Sequence, residues 1–306
     1  MSLRHFPEYL LQRFPPLAML LFVILYLTVS TVAFAESGLT FSFSLLHFIG
    51  ILACISFFFR LRVMDEIKDL KIDQAVHPER LVVQGKIRIN ELISLAAPGM
   101  LMEAAWSLWI SMPAFIAWLI AVAYSFLMRY EFFMPRILEQ RFFLYAFSHT
   151  LIMPLVVAWL WFAHYVYDGI HDGYLELICL AAVSFFGALA YEVARKTFAS
   201  AAEPKQIQTY SKLLGRDVAS RLSSLLVLIN GIFLAFLFLS TNTFFDFIAL
   251  SMDWLLIPLI MFLIVAASYT KAVRDNDERA FRLAEKFVSL SMLINYLLLI
   301  ILLWMR

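Results

Sequence analysis

The sequence predicts an all-α, polytopic membrane protein. Three observations carry this. The 306 residues are 63% hydrophobic and only 15% charged, where soluble domains are nearer half apolar and a quarter charged. Apolar runs near 20 residues, the length that crosses a bilayer as a helix, recur along the chain. Lys and Arg are confined to alternate connections between those runs. Length alone would also suit one or two soluble domains, but the recurring runs decide the class.

Hydropathy places nine spans, at about 16–35, 42–60, 92–110, 113–128, 142–164, 174–191, 223–241, 253–270 and 287–305. The first ends in Ala33-Phe34-Ala35, which resembles a signal-peptidase site. Its apolar run exceeds the roughly 7–15 residues of a signal core, so it is read as a span. The third and fourth share one apolar stretch, 92–128, too long for a single crossing. Pro113 marks the turn of that hairpin. No repeat or low-complexity linker divides the chain, so residues 1–306 form one membrane-embedded domain.

Basic residues set the expected orientation. Every Lys and Arg except Arg306 lies before the first span or in the connections after the second, fourth, sixth and eighth. The other connections hold Glu36, Asp168, Asp172, Asp246 and Asp253 and no base. This positive-inside pattern puts the N-terminus in the cytoplasm and, with nine crossings, the C-terminus outside. Short loops suit a bacterial-type cytoplasmic membrane, with an organellar membrane as the other option. Cys54 and Cys179 lie far apart in apolar runs, which argues against a redox or zinc role. No nucleic-acid partner is expected.

Chemistry is expected in the two long basic connections, about 61–91 and 192–222. The first holds Asp65, Glu66, Asp69 and Asp73 at three- and four-residue spacing, which a helix gathers toward one face. Carboxylates so close repel one another at a membrane boundary. Mg²⁺ relieves that repulsion and characteristically bridges one or two carboxylates to a substrate phosphate. Spacing alone fits equally a solvated helix end whose acids are offset by Lys68 and Lys71. The second connection holds Glu192, Arg195 and Lys196 at helical spacing, then Glu203 and Lys205. Its carboxylates suit a metal and its bases suit phosphate, although Arg195 and Lys196 also read as positive-inside anchors. Within the spans, Glu103 is the ionisable residue most worth testing. Asn230 and Asn295 read as interhelical hydrogen-bonding groups. His47, His149 and His164 complete the intramembrane polar set, and His77 beside Pro78 reads as a loop cap.

Nine spans with acidic loops after the second and sixth resemble the UbiA superfamily of intramembrane prenyltransferases. The string Asp65-Glu66-Ile67-Lys68-Asp69-Leu70-Lys71-Ile72-Asp73 resembles that family's Asn-Asp-x-x-Asp-x-x-x-Asp motif, with Asp65 in place of Asn and Glu66 in place of Asp. Arg80-Leu81 and Gly85 stand where the family has Arg-Pro and Gly. In the second loop Glu192, Glu203, Thr209-Tyr210-Ser211 and Gly215 are similar to an acidic motif followed by a polar segment and Gly. Tyr124 and Arg129 fit a Tyr-x-x-x-Lys-Arg element in which Met128 replaces the Lys.

The resemblance implies a UbiA-like bundle that transfers a prenyl group, with Mg²⁺ as cofactor, from an isoprenoid diphosphate to a small aromatic or lipid acceptor. It implies Glu66, Asp69 and Asp73, opposed by Glu192 and Glu203, as metal ligands. Asp65, Lys68 and Arg80 would act with them in catalysis. Tyr124, Arg129, Arg195, Lys196 and Tyr210 would bind substrate. Two alternatives remain: phosphoribosyl transfer from phosphoribosyl diphosphate to a polyprenyl phosphate, in which Arg195 and Lys196 hold the sugar phosphate, and, more distantly, a divalent-cation transporter.

Overall fold

The computed structural model describes residues 3–166, 173–205, 207–240 and 252–304. Asp168, Asp172, Asp246 and Arg306 of the charge pattern lie outside them. Among the described residues the regular structure is all helix, without strands, and nine helices are long and apolar enough to cross a membrane. The spans are Pro16–Glu36, Leu45–Val76, Ile89–Ile110, Met112–Arg129, Phe142–His164, Tyr174–Arg195, Arg216–Ser240, Leu256–Asp275 and Glu278–Trp304. Each neighbour in sequence is a neighbour in space, and the ninth packs back on the first, closing a ring. The first also packs on the fifth and the ninth on the sixth, which fills the middle.

The helices outrun the apolar runs at one end of the bundle. The second span continues to Val76, the sixth to Arg195 and the eighth to Asp275, and the seventh and ninth begin at Arg216 and Glu278. Hydropathy registers only the part of a helix that sits in hydrocarbon. The 32-residue second span is about 48 Å long against a hydrocarbon core of about 30 Å, so its last three turns project. Much of both expected loops is therefore rigid helix.

Local chemistry explains the joints. A single residue, Ser111, joins the third and fourth spans. Its hydroxyl accepts from Ala114 N at 3.1 Å and donates to Phe162 O at 3.0 Å, capping the new helix and tying it to the fifth span. The fifth span breaks at Leu151 into Phe142–Thr150 and Ile152–His164. Pro154 causes this, because its ring conflicts with the carbonyl of Thr150, four residues earlier. Gly85 and Gly215 adopt φ of +69° and +79°, which leads the chain into the third and seventh spans. Nothing crowds a Cβ at either position, so backbone conformation alone calls for glycine there.

Buried polar groups fix helix register. Glu103 is fully buried and satisfied: it accepts from Arg60 at 3.1 Å, Ser56 at 2.8 Å and Trp118 Nε1 at 3.0 Å. Arg60 also donates to Ser125 at 2.9 Å. Arg60 is thus an interior partner and not a membrane-surface anchor, and it joins the second, third and fourth spans. Asn295 donates to Asn230 at 2.6 Å, and Asn230 to Val183 O at 2.5 Å, linking the ninth, seventh and sixth.

Candidate active site

The projecting end of the second span presents its four carboxylates in two directions. At about 100° per residue, Glu66 stands a quarter-turn from Asp65, while Glu66 and Asp73 agree within about 20°. Glu66 and Asp73 lie on the side packed by the N-terminal helix Phe6–Arg13 and the 77–88 connection, where Tyr9, Val63, Leu81 and Ile87 form a small core. Both are buried and each is held by an arginine. Arg13 Nε pairs with Glu66 at 2.5 Å, and Arg80 pairs with Asp73. Asp65 and Asp69 are partly exposed. Asp65 meets Arg62 only at 3.5 Å, and Asp69 makes no ion pair among the described residues.

Between Asp65 and Asp69 in sequence, Lys68 meets the first half of the fifth span. Lys68 donates to the Tyr145 hydroxyl at 2.8 Å and sits 5.2 Å from the centre of that ring. His149 stacks on Tyr145 with ring centres 3.9 Å apart, and its Nδ1 contacts Tyr145 O at 2.9 Å. Its buried Nε2 has no protein partner. Lys196 lies 5.9 Å from the Tyr145 ring centre and 5.1 Å from that of Phe142. Glu192 pairs with Lys196 at 2.9 Å and with Arg195 at 2.5 Å. Asp65 and Asp69 lie within electrostatic range of Tyr145, and Asp65 also of His149 and Arg195. The two sequence-predicted regions thus meet across one bundle mouth.

The remaining candidates stand further back. The Glu203 carboxylate accepts from Thr209 within its own loop. Tyr210 is fully buried against Phe142 and Phe143, with ring centres at 4.7 and 5.7 Å. Burial, reinforced by the Glu192 charge, pushes its phenol above the usual tyrosine range, so it stays neutral. Tyr124 donates to Ser148 O at 2.7 Å, and Arg129 lies over the Tyr130 ring. The 196–209 segment is pinned from the ninth span: Arg282 donates to Thr197 O at 2.6 Å, and Glu278 accepts from Ala199 N at 2.8 Å.

This donor set suits an ion shared with a ligand better than a protein cage. Among the described residues no three His, Cys, Asp or Glu side chains converge on one point. Two carboxylates beside several bases fit Mg²⁺ held by one or two carboxylates and a phosphate group. Sequence reasoning did not identify Tyr145, Arg13 or Arg282 as contributors. Their roles come from contacts distant in sequence, which periodicity does not register.

No protein-family model matches the sequence, and no curated protein does. Two solved structures share the fold. One, from work on digeranylgeranylglyceryl phosphate synthase in membranes, has a TM-score of 0.61 at 16% identity, covering 97% of this chain and 98% of that one. The other is an apo structure of a UbiA homolog from Aeropyrum pernix K1, with a TM-score of 0.61 at 14% identity, covering 92% of this chain and 97% of that one. The chain therefore has the UbiA-type fold that its motifs resemble, in an integral, multi-pass membrane protein.

Proposed function

We propose that the protein transfers a prenyl group from an isoprenoid diphosphate to an aromatic or lipid acceptor at the membrane surface. The observation that carries this is the mouth itself. Two unlocked carboxylates on the projecting second span, with Lys68 on the same helix, stand opposite Arg195 and Lys196, with the stacked Tyr145 and His149 between, in a fold shared end to end with membrane UbiA-type proteins. Intramembrane prenyl transfer needs those parts: anion-binding groups where head groups lie, above an apolar bundle that accommodates the chain.

In this reading Asp65 and Asp69 would hold Mg²⁺. The ion, when bound, neutralises charge on the leaving group. Lys68, Arg195 and Lys196 bind the diphosphate oxygens, and their charges favour the state in which the carbon–oxygen bond breaks and its electron pair leaves with the diphosphate. The Tyr145–His149 stack shields the allylic carbon from water. The acceptor nucleophile then bonds to that carbon, and its proton passes to the departing diphosphate. Glu66 and Asp73, with Arg13 and Arg80, position the helix and do not meet the ligand. Glu192 orients Arg195 and Lys196.

The test is thermal stabilisation of detergent-purified protein by geranyl, farnesyl, geranylgeranyl and longer polyprenyl diphosphates and by phosphoribosyl diphosphate, with and without Mg²⁺. A ligand that binds only the folded state at 100 times its Kd adds about 2.7 kcal/mol. A Mg²⁺-dependent rise with one isoprenoid diphosphate, absent in Asp69→Ala, is expected. A rise with phosphoribosyl diphosphate alone would replace this reading with sugar-phosphate transfer. No rise with any of them would overturn both.

A further inference from the structure

A second ligand-sized feature lies away from the mouth, between the seventh and eighth spans. It is a cavity of about 460 Å³, within the range of small-molecule sites, and none of the candidate catalytic residues lines it. The eighth span is among the least buried of the nine and packs on the seventh and ninth, so this seam lies at the bundle periphery. The lining changes character with depth. Asp217, Arg221 and Arg274 form the charged end, and Leu228 and Phe262 the apolar end. Arg221 and Leu228 are about 10 Å apart along their helix, and Arg274 and Phe262 about 18 Å along theirs. At the charged end, one residue before Arg221, Ser220 lines the cavity. It is 2% exposed, and its hydroxyl has no protein hydrogen-bond partner.

The two arginines keep unused donors. Arg221 pairs with Asp217 through Nη2 at 2.8 Å, and Arg274 with Asp275 through Nε at 3.0 Å. A guanidinium carries five N–H groups, so each retains a fork that suits phosphate. Each base nevertheless has an acid beside it, Asp217 in the lining and Asp275 just outside it, so the charged end is neutral overall. A dianionic phosphate monoester would meet two carboxylates uncompensated. A phosphodiester carrying its own ammonium matches both signs, with phosphate on the arginines and ammonium toward Asp217.

We infer that this groove is a binding site for one zwitterionic glycerophospholipid of the phosphoethanolamine type, whose phosphate meets Arg221, Arg274 and Ser220 and whose chain lies against Leu228 and Phe262. The site is independent of the transfer reading, and either can fail without the other. Native mass spectrometry of the full-length, delipidated protein tests it, using chain-matched phosphatidylethanolamine, phosphatidylcholine, phosphatidylglycerol and diacylglycerol. The expected result is one retained phosphatidylethanolamine, bound more tightly than the other three. The double variant Arg221→Ala, Arg274→Ala should weaken it at least about tenfold, as loss of charge-assisted hydrogen bonds does. Both side chains are more than 70% exposed, so the fold should survive. Ala266→Phe, filling the apolar part, should displace the lipid with the headgroup contacts intact. Equal retention of diacylglycerol, preference for phosphatidylglycerol, or unchanged occupancy in both variants would overturn the site.

Discussion

The second span carries carboxylates of two kinds, and their difference lies in their partners. Glu66 and Asp73, like Glu103 deeper in the bundle, are buried and held by Arg13, Arg80 and Arg60. Asp65 and Asp69, on the same helix within two turns, face the mouth with one loose pair between them. Helical spacing sets Glu66 and Asp73 to one side of Asp65 but does not tell which side is locked. What separates them is where distant arginines arrive. Locked carboxylates fix the helix, and unlocked ones remain available to a ligand.

The largest effect is expected at the deepest lock. Glu103→Ala leaves Arg60 charged, 4% exposed and without its carboxylate, and it also strips Trp118 and Ser56 of an acceptor. Breaking a buried pair from one side costs about 3–5 kcal/mol. A fall of that size in unfolding free energy is expected, whereas the joint change Glu103→Leu, Arg60→Met should recover most of it. A single variant of near-native stability would show that the carboxylate is not locked.

Next comes the unlocked class. Asp69→Ala removes negative charge from beside Asp65 and breaks no ion pair, so stability without ligand should stay level or rise. Prenyl transfer at saturating Mg²⁺ should fall at least about 100-fold, near 2.7 kcal/mol of lost transition-state stabilisation. The comparison fails if Asp69→Ala unfolds the protein while leaving turnover intact.

These two classes mark how far the sequence could be read. Nine spans, their order, a hairpin turning near Pro113 and the placing of two polar regions at one end follow from apolar length and basic asymmetry. Those signals are local, and the bilayer enforces them. Hydropathy did not register the helical projections to Val76 and Arg195, since it falls to the loop level once a helix leaves hydrocarbon; only the three- and four-residue spacing of their charged residues pointed to helix. The division of the acidic cluster was not legible. It depends on Arg13, 53 residues before Glu66 in the chain, and on Tyr145, 77 after Lys68. Arg60 looked like an interfacial base because it ends an apolar run; only the position of Glu103 on the neighbouring helix turns it inward.

The outer locks should cost less than the inner one. Arg13→Ala leaves Glu66 unpaired at the edge of a small core, where Arg13 itself is 14% exposed and water can reach the gap. A loss of about 1–3 kcal/mol is expected, the usual cost of stranding a buried hydrogen-bonding group. The affinity for Mg²⁺ and diphosphate should change little. If Arg13→Ala tightens Mg²⁺ binding severalfold, Glu66 is a latent ligand held in reserve, and the line between locked and unlocked shifts.

The smallest effect is the most local. Tyr145→Phe removes the hydroxyl that receives Lys68 at 2.8 Å and keeps the ring that the ammonium overlies at 5.2 Å. The aromatic contact alone holds a cation with about 0.5–1 kcal/mol at exposed sites, so Lys68 stays near its place but loses its anchor. Positioning should suffer more than binding. The expected result is a severalfold fall in kcat for prenyl transfer, little change in KM for the isoprenoid diphosphate, and a Tm within a few degrees of the parent. A merely structural hydroxyl would move Tm and leave the ratio of the kinetic constants alone. Lys68→Met on the Tyr145→Phe background distinguishes the two: if the hydroxyl acts through Lys68, the second change costs the same total as Lys68→Met made singly, and the effects are not additive.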